Sequence, residues 1–150
     1  MKSRRQQALW LLIVVGTGVA AYLVYVAVDA NAEPYCSGVG DCQKVQSSEY
    51  ATVGGVSVAA FGLAMYLGLL ALQIASSVGP LRGAPLLRVW LTVLAGSGAL
   101  YSAYLTYLEL NVIDAICVYC VVSAAIVTAI AVLSWPDFSA ARRELASRSE

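Results

Sequence analysis

Four long apolar runs, separated by shorter polar or glycine- and proline-bearing stretches, set the pattern of the chain. Residues 8–28 carry no charge, and these 21 residues at the helical rise of 1.5 Å reach about 30 Å, the thickness of a bilayer's hydrocarbon core. Residues 57–79, 86–108 and 116–135 repeat the pattern, each uncharged inside except for Arg88 near one end. Each run predicts a membrane-spanning helix. A signal peptide competes for the first, because Lys2, Arg4 and Arg5 precede it and Ala30-Asn31-Ala32 fits a cleavage site. The run is longer than the roughly 7–15 apolar residues of such a leader, so a retained helix is the preferred reading.

The intervening stretches are loops of different kinds. Residues 29–56 form the longest polar segment, with Cys36, Cys42, four acidic residues and Lys44, broken by Pro34, Gly38 and Gly40. Within it, residues 44–53 lack glycine and proline and predict one or two helical turns, a short lid over the helix ends that Gly54-Gly55 closes. Gly79, Pro80, Gly83 and Pro85 predict a tight connection between the second and third spans. After Trp135-Pro136 a polar tail with Arg142, Arg143 and Arg148 reads as an exposed or frayed helix. The expected fold is an all-α membrane protein, a four-transmembrane-helix bundle with a long outer loop carrying a short helix, in a single domain of residues 1–150.

Composition agrees: 60% of residues are hydrophobic and 12% charged, against about 25% charged in an ordinary soluble domain. Net charge is zero, yet the signs are unevenly placed. With the N-terminus cytoplasmic, Lys2, Arg4, Arg5, Arg82, Arg88, Arg142, Arg143 and Arg148 lie inside and only Lys44 outside, satisfying the positive-inside rule. Trp10, Trp90 and Trp135 then mark inner helix ends, and Tyr22, Tyr25, Tyr101, Tyr104 and Tyr107 cluster toward outer ones. The expected location is the cell's inner or plasma membrane, with both termini cytoplasmic and all cysteines on the outer, extracytoplasmic face. Membrane lipid is a partner, and no stretch offers the basic surface that nucleic acid requires. Histidine is absent, which excludes Ser-His-Asp, Cys-His and His-metal chemistry together. Ala95, Ala99 and Ala103 form a small-residue stripe that lets a neighbouring helix approach.

The remaining chemistry is that of thiols. Cys117-Val118-Tyr119-Cys120 opens the fourth run, and on a helix its two cysteines share a face. Cys117 falls in the first turn, where unpaired N–H groups favour thiolate, and Asp114 is placed as the N-cap. Cys36 and Cys42 enclose five residues, two of them glycine, a flexible and exposed small ring. Four cysteines allow three pairings. The functional reading is a relay by thiol–disulfide exchange, from a soluble thiol protein through Cys36 and Cys42 to Cys117 and Cys120 and on to a membrane-soluble acceptor. Purely structural disulfides are the plainer alternative, giving a non-enzymatic scaffold with its outer loop stapled over the bundle. A helical Cys-x-x-Cys closes too short a loop to stabilise much, and the five-residue spacing of the other pair does not suit a zinc knuckle, so no metal is expected.

These residues resemble the vitamin K epoxide reductase family. The resemblance is carried by Cys36 and Cys42, by Ser48 six residues after Cys42, by Phe61-Gly62 in the second span and by Cys117-Val118-Tyr119-Cys120, and it covers nearly the whole chain. It implies a protein-dithiol:quinone oxidoreductase in which Cys36 and Cys42 act as shuttle, Cys117 receives electrons from Cys42, and Cys120 is the thiol beside the quinone. Ser48 would lie by that thiol pair, with the quinone, of ubiquinone or menaquinone (vitamin K) type, under the 44–53 turn. Vertebrate members polarise the quinone with an asparagine and a tyrosine at positions that are Val58 and Ala124 here, which points to plain quinone reduction ahead of vitamin K epoxide reduction. The implied partner is a separate thioredoxin-like (DsbA-like) protein.

Other residues carry paired readings. Tyr101, Tyr104 and Tyr107 present phenols near the expected quinone or simply anchor the interface; Tyr104 is taken as the candidate contact. Tyr119 sits between the cysteines, facing lipid or lid. Phe61 and Met65, one turn apart, either line an apolar quinone pocket or pack the core. Glu109 and Asp114 are possible proton sources, with a solvated loop as the expected environment.

Overall fold

The computed structural model describes residues 2–29, 31–32, 34–36, 38, 40–78 and 80–148; of the residues singled out above, Ala30 and Gly79 lie outside the described residues. Four long helices form the bundle: α1 (Lys2–Val28), α3 (Val58–Ser77), α4 (Pro85–Leu108) and α5 (Val118–Arg148). All four are long and apolar enough to cross a membrane. Between α1 and α3 lie the short helix α2 (Cys42–Gln46), a 3₁₀ turn (Glu49–Ala51) and a small antiparallel hairpin of β1 (Thr52–Val53) and β2 (Val56–Ser57). Gly54 and Gly55, both at positive φ, make its turn, so the glycine pair that marks the end of the lid in sequence also folds it back on itself.

Helix α4 packs chiefly on α5, α1 on α3 and α5, and α3 on α4. The common core joins Ile13, Tyr66, Leu69, Ala95, Val127 and Ile130, all fully enclosed. Close approach rests on small residues: Ala95 is fully buried, and a Cβ on Gly98 would meet Met65 and Val127. The opposite faces carry exposed Leu11, Val14, Leu67, Val93, Leu100 and Val132, an apolar exterior suited to lipid. Hydroxyls inside the bundle satisfy themselves locally. Thr17, Thr92, Thr106 and Thr128 each donate to the carbonyl four residues earlier at 2.7–3.1 Å, so these four hydroxyls are not left unpaired in the bilayer.

The tail is the exposed helix expected over residues 142–148, but it is continuous with the fourth span. Helix α5 continues through Pro136 to Arg148 instead of ending at Trp135. Pro136 removes one helical hydrogen bond, but the extension is held from the side: Arg5 bonds Asp137 at 2.6 Å, Arg88 lies 3.8 Å from Glu144, and Ala141 is fully buried. The same end of the bundle carries the α3–α4 connection, where Arg88 donates to the Gly83 carbonyl at 2.6 Å. At the other end, the α1–α3 loop and the α4–α5 junction converge with the cysteines.

The Tyr66 ring fills the gap at Gly16, where a Cβ would overlap it, and the Tyr66 hydroxyl is tied to the Ser123 carbonyl at 3.0 Å. Gly16→Ala therefore overpacks the α1–α3 contact and is expected to cost about 1–3 kcal/mol. Gly96→Ala meets nothing within 4 Å and gains up to about 1 kcal/mol of helix propensity. Thermal unfolding in detergent should lower the midpoint for the first and leave or raise it for the second.

Candidate active site

At the cysteine end, Cys42 and Cys117 are buried together in a small cluster with Leu23 and Val45, and Cys36 and Cys120 pack at its edge. All four cysteines thus meet, from elements 75 residues apart between Cys42 and Cys117. Cys36 and Cys42 form a disulfide, and Cys117 and Cys120 are free thiols.

The loop pair is docked through the backbone of its own ring. Asp41 N–H donates to the Ile116 carbonyl at 3.1 Å, one residue before Cys117. Gly40 permits this approach: its φ is +83°, and a Cβ there would run into the Ile116 carbonyl. Asp41 also caps α2, accepting from Lys44 N–H at 3.0 Å, while the Lys44 ammonium donates to the Asp114 carbonyl at 3.3 Å. On the Cys36 side, the Tyr119 hydroxyl donates to the Tyr35 carbonyl at 2.7 Å, Tyr35 N–H donates to the Tyr22 hydroxyl at 3.3 Å, and the Tyr22 and Tyr119 rings stand 5.0 Å apart. Ser37 and Val39, inside the ring, lie outside the described residues.

The second pair is set by the junction between α4 and α5. Helix α4 runs into a π-helical turn (Glu109–Ile113), which Asp114 ends in the left-handed region at φ 51° and ψ 46°. Asp114 is therefore not the cap of α5. Cys117 takes that place: its carbonyl accepts from Val121 N–H at 3.0 Å, and α5 begins at Val118. Its sulfur sits where a capping side chain sits. The neighbouring Cys120 thiol and, against the effect of burial, the first N–H groups of α5 favour its thiolate, so the Cys117 thiol is held below the usual thiol range.

Glu109 has the environment least expected from sequence. It is 3% exposed, not in a solvated loop. Its Oε2 accepts from Cys117 N–H at 3.0 Å, its carboxyl shares the cavity lining with Cys120, and its own carbonyl accepts from Asp114 and Ala115 N–H. The only sequence signal for this is an isolated acid immediately after an apolar run, eight residues before a Cys-x-x-Cys.

Beside Cys120 opens a cavity of about 410 Å³ between α1, α3, α4 and α5, roofed by α2 and the 3₁₀ turn. Leu23, Val58, Phe61, Met65, Leu94 and Leu105 give it apolar walls; Ser48, Tyr50, Tyr101, Glu109 and Cys120 are polar groups on its lining. A mostly apolar cavity with a few convergent polar groups suits a flat lipophilic ring such as a quinone. Ser48, Phe61, Met65 and Cys120 of the sequence candidates line it. Tyr104 does not: the cavity follows Leu94, Ser97, Gly98, Tyr101 and Leu105 along one stripe of α4, and Tyr104 lies a step round the helix, half exposed, its ring 6.3 Å from that of Tyr101. Tyr119 is also absent from the lining, being engaged with Tyr22 and Tyr35. Tyr50 and Tyr101 supply the phenols there instead. Among the described residues, no group of three or more His, Cys, Asp or Glu side chains is arranged to hold a metal ion.

Two outcomes follow from this geometry. Gly40→Ala should separate the loop pair from Ile116 and slow disulfide exchange between Cys42 and Cys117 by at least about tenfold, since a strained φ and a backbone clash together cost upward of about 1 kcal/mol; rapid-quench alkylation followed by mass spectrometry reads the exchange. Cys120→Ala removes the donor that favours Cys117 thiolate, so the pH profile of Cys117 alkylation should move to higher pH.

A vitamin K epoxide reductase family model matches residues 7–135, spanning all four helices and both cysteine pairs. Members of that family are membrane oxidoreductases that couple disulfide chemistry to quinones and work with a redox partner. With the four-helix bundle, the converging thiols and this match over most of its length, the chain belongs to the vitamin K epoxide reductase family.

Proposed function

We propose that the chain is a protein-dithiol:quinone oxidoreductase that supports disulfide-bond formation outside the cytoplasm. The observation that carries this reading is the buried contact cluster of Cys42 with Cys117, with Cys120 on the wall of an apolar cavity. A thiol of a separate thioredoxin-like protein attacks the half-buried Cys36 of the loop disulfide and releases Cys42. Cys42 attacks the inner disulfide at Cys117 and releases Cys120. Resolution of the two mixed disulfides leaves the partner oxidised, Cys36–Cys42 bonded, and Cys117 and Cys120 as thiols. The quinone then accepts two electrons and two protons, and the Cys117–Cys120 bond re-forms. The described pairing, loop disulfide closed and inner pair reduced, corresponds to the state before that last step.

The orientation follows from charge: eight of the nine Lys and Arg residues belong to the N-terminus, the α3–α4 connection and the C-terminal extension, and Lys44 alone to the cysteine end. The positive-inside rule puts both termini in the cytoplasm of a cell with this protein in its inner or plasma membrane, and the cysteines on the outer face. Val58 lines the cavity where vertebrate relatives use an amide, which favours quinone over epoxide as substrate. Tyr104 is left to the interface.

In liposomes containing ubiquinone or menaquinone, Cys117→Ala and Cys120→Ala should each abolish oxidation of a reduced thioredoxin-like protein, and a thioredoxin-like protein that lacks its second active-site cysteine should open the Cys36–Cys42 bond of the wild type and accumulate as a mixed disulfide on Cys36. Retained turnover in either inner-pair variant would sink the relay. Reduction of vitamin K epoxide by the wild type with a dithiol at a rate matching that of quinone would overturn the substrate assignment.

A further inference from the structure

Oxidising two thiols with a quinone requires two protons to reach the quinone oxygens, yet the cavity beside Cys120 is walled mainly by hydrocarbon. Among the described residues, Glu109 is the one carboxyl on its lining. That side chain touches both halves of the reaction. It is 3% exposed, accepts from Cys117 N–H at 3.0 Å and shares the cavity lining with Cys120. Nothing in a purely structural role requires an ionisable group there; a glutamine would accept the same N–H.

Resting on the quinone-reductase reading, we infer that Glu109 is a catalytic acid that stores one of the two protons delivered to the quinone. In the reduced state Cys117 is a thiolate, Cys120 a thiol and Glu109 a neutral carboxylic acid. The Cys117–Cys120 bond forms, the pair gives up two electrons, and the quinone gains these with one proton from Cys120 and one from Glu109. The product state is a disulfide, a Glu109 carboxylate and a quinol, with the charge of the site unchanged at −1. Glu109 takes up a proton again when the pair is next reduced by the loop cysteines. The arrangement keeps charge constant inside a low-dielectric site, where an uncompensated proton transfer is costly. The titratable groups acting on Glu109 are Cys117 and Cys120 of the α5 end; Tyr50 and Tyr101 share the cavity, and Lys44 is engaged with the Asp114 carbonyl.

The test is Glu109→Gln in the full chain, read at two separate steps. Quinol formation from the pre-reduced protein should fall about 100-fold or more, the range of a lost general acid, and by a larger factor than disulfide exchange between Cys42 and Cys117. Glu109→Asp, which keeps the acid on a shorter arm, should recover at least about tenfold of the loss. Independently of quinone, the reduced-minus-oxidised infrared difference spectrum should contain a protonated carboxyl band that Glu109→Gln removes. Quinol formation by Glu109→Gln within about threefold of wild type overturns the inference. So does an equal loss of both steps with no recovery in Glu109→Asp, or a wild-type spectrum without the carboxyl band. A wild type that forms no quinol while its cysteines still exchange refutes the quinone-reductase reading itself.

Discussion

The amide of Cys117 stands at the start of a helix, where backbone N–H groups have no partner within the helix, and in this position neither water nor lipid is free to supply one. Glu109 supplies it, with a carboxyl oxygen 3.0 Å away. The same residue's carbonyl takes the N–H groups of Asp114 and Ala115, so one residue closes the whole junction between α4 and α5. Everything at the cysteine end is hung on that junction. The carbonyls of Asp114 and Ile116 point outward to receive Lys44 and Asp41, and these contacts set Cys42 against Cys117. Were the junction looser, the two pairs would belong to separate segments of chain with nothing fixing their encounter.

Burial then varies along the path in a way that suits directional exchange. Cys36 is partly exposed, Cys42 is 1% exposed, Cys117 is fully enclosed, and Cys120 reaches the cavity wall. A soluble thiol can approach the first, and only intramolecular attack can reach the third. Enclosure raises the energetic cost of making a thiolate, which the capping position of Cys117 offsets through the Cys120 thiol and the N–H groups of Cys120 and Tyr119. The tyrosine set of Tyr22, Tyr35 and Tyr119 holds the Cys36 arm to α1 and α5, and Ile116 holds the Cys42 arm through Asp41.

Much of this was legible in sequence because a bilayer reduces folding to few choices: uncharged runs of sufficient length become helices, and the four spans appear where the runs lie. The cysteines were legible as chemistry, Ser48 as a cavity residue by resemblance, and Phe61 and Met65 by their one-turn spacing. What was illegible depended on backbone geometry that leaves no periodic mark. The π turn puts Glu109 under α5 rather than in solvent, and it moves the cap from Asp114 to Cys117. Tyr104 was separated from Tyr101 by one step of helical rotation, which spacing alone does not orient without knowing the packed face. The C-terminal extension looked like a tail because Pro136 interrupts the pattern, and the partners that hold it, Arg5 and Arg88, lie far away in sequence.

The irregular junction itself has a physical logic. A residue at positive φ is costly for most side chains, and aspartate is among the few besides glycine that enter the left-handed region readily, which accounts for Asp114 at φ 51°. A π turn makes poorer use of its hydrogen bonds than an α turn and survives where something is gained locally. Here the extra residue widens the turn after α4, and the carboxyl at its start meets the thiol pair at the mouth of α5 and the cavity at once. A regular helix through Ile113 would keep an acid in the chain but give it no reason to face the thiols. The local departure from ideal helix geometry is therefore what joins the thiol pair, its buried acid and the apolar cavity into one site.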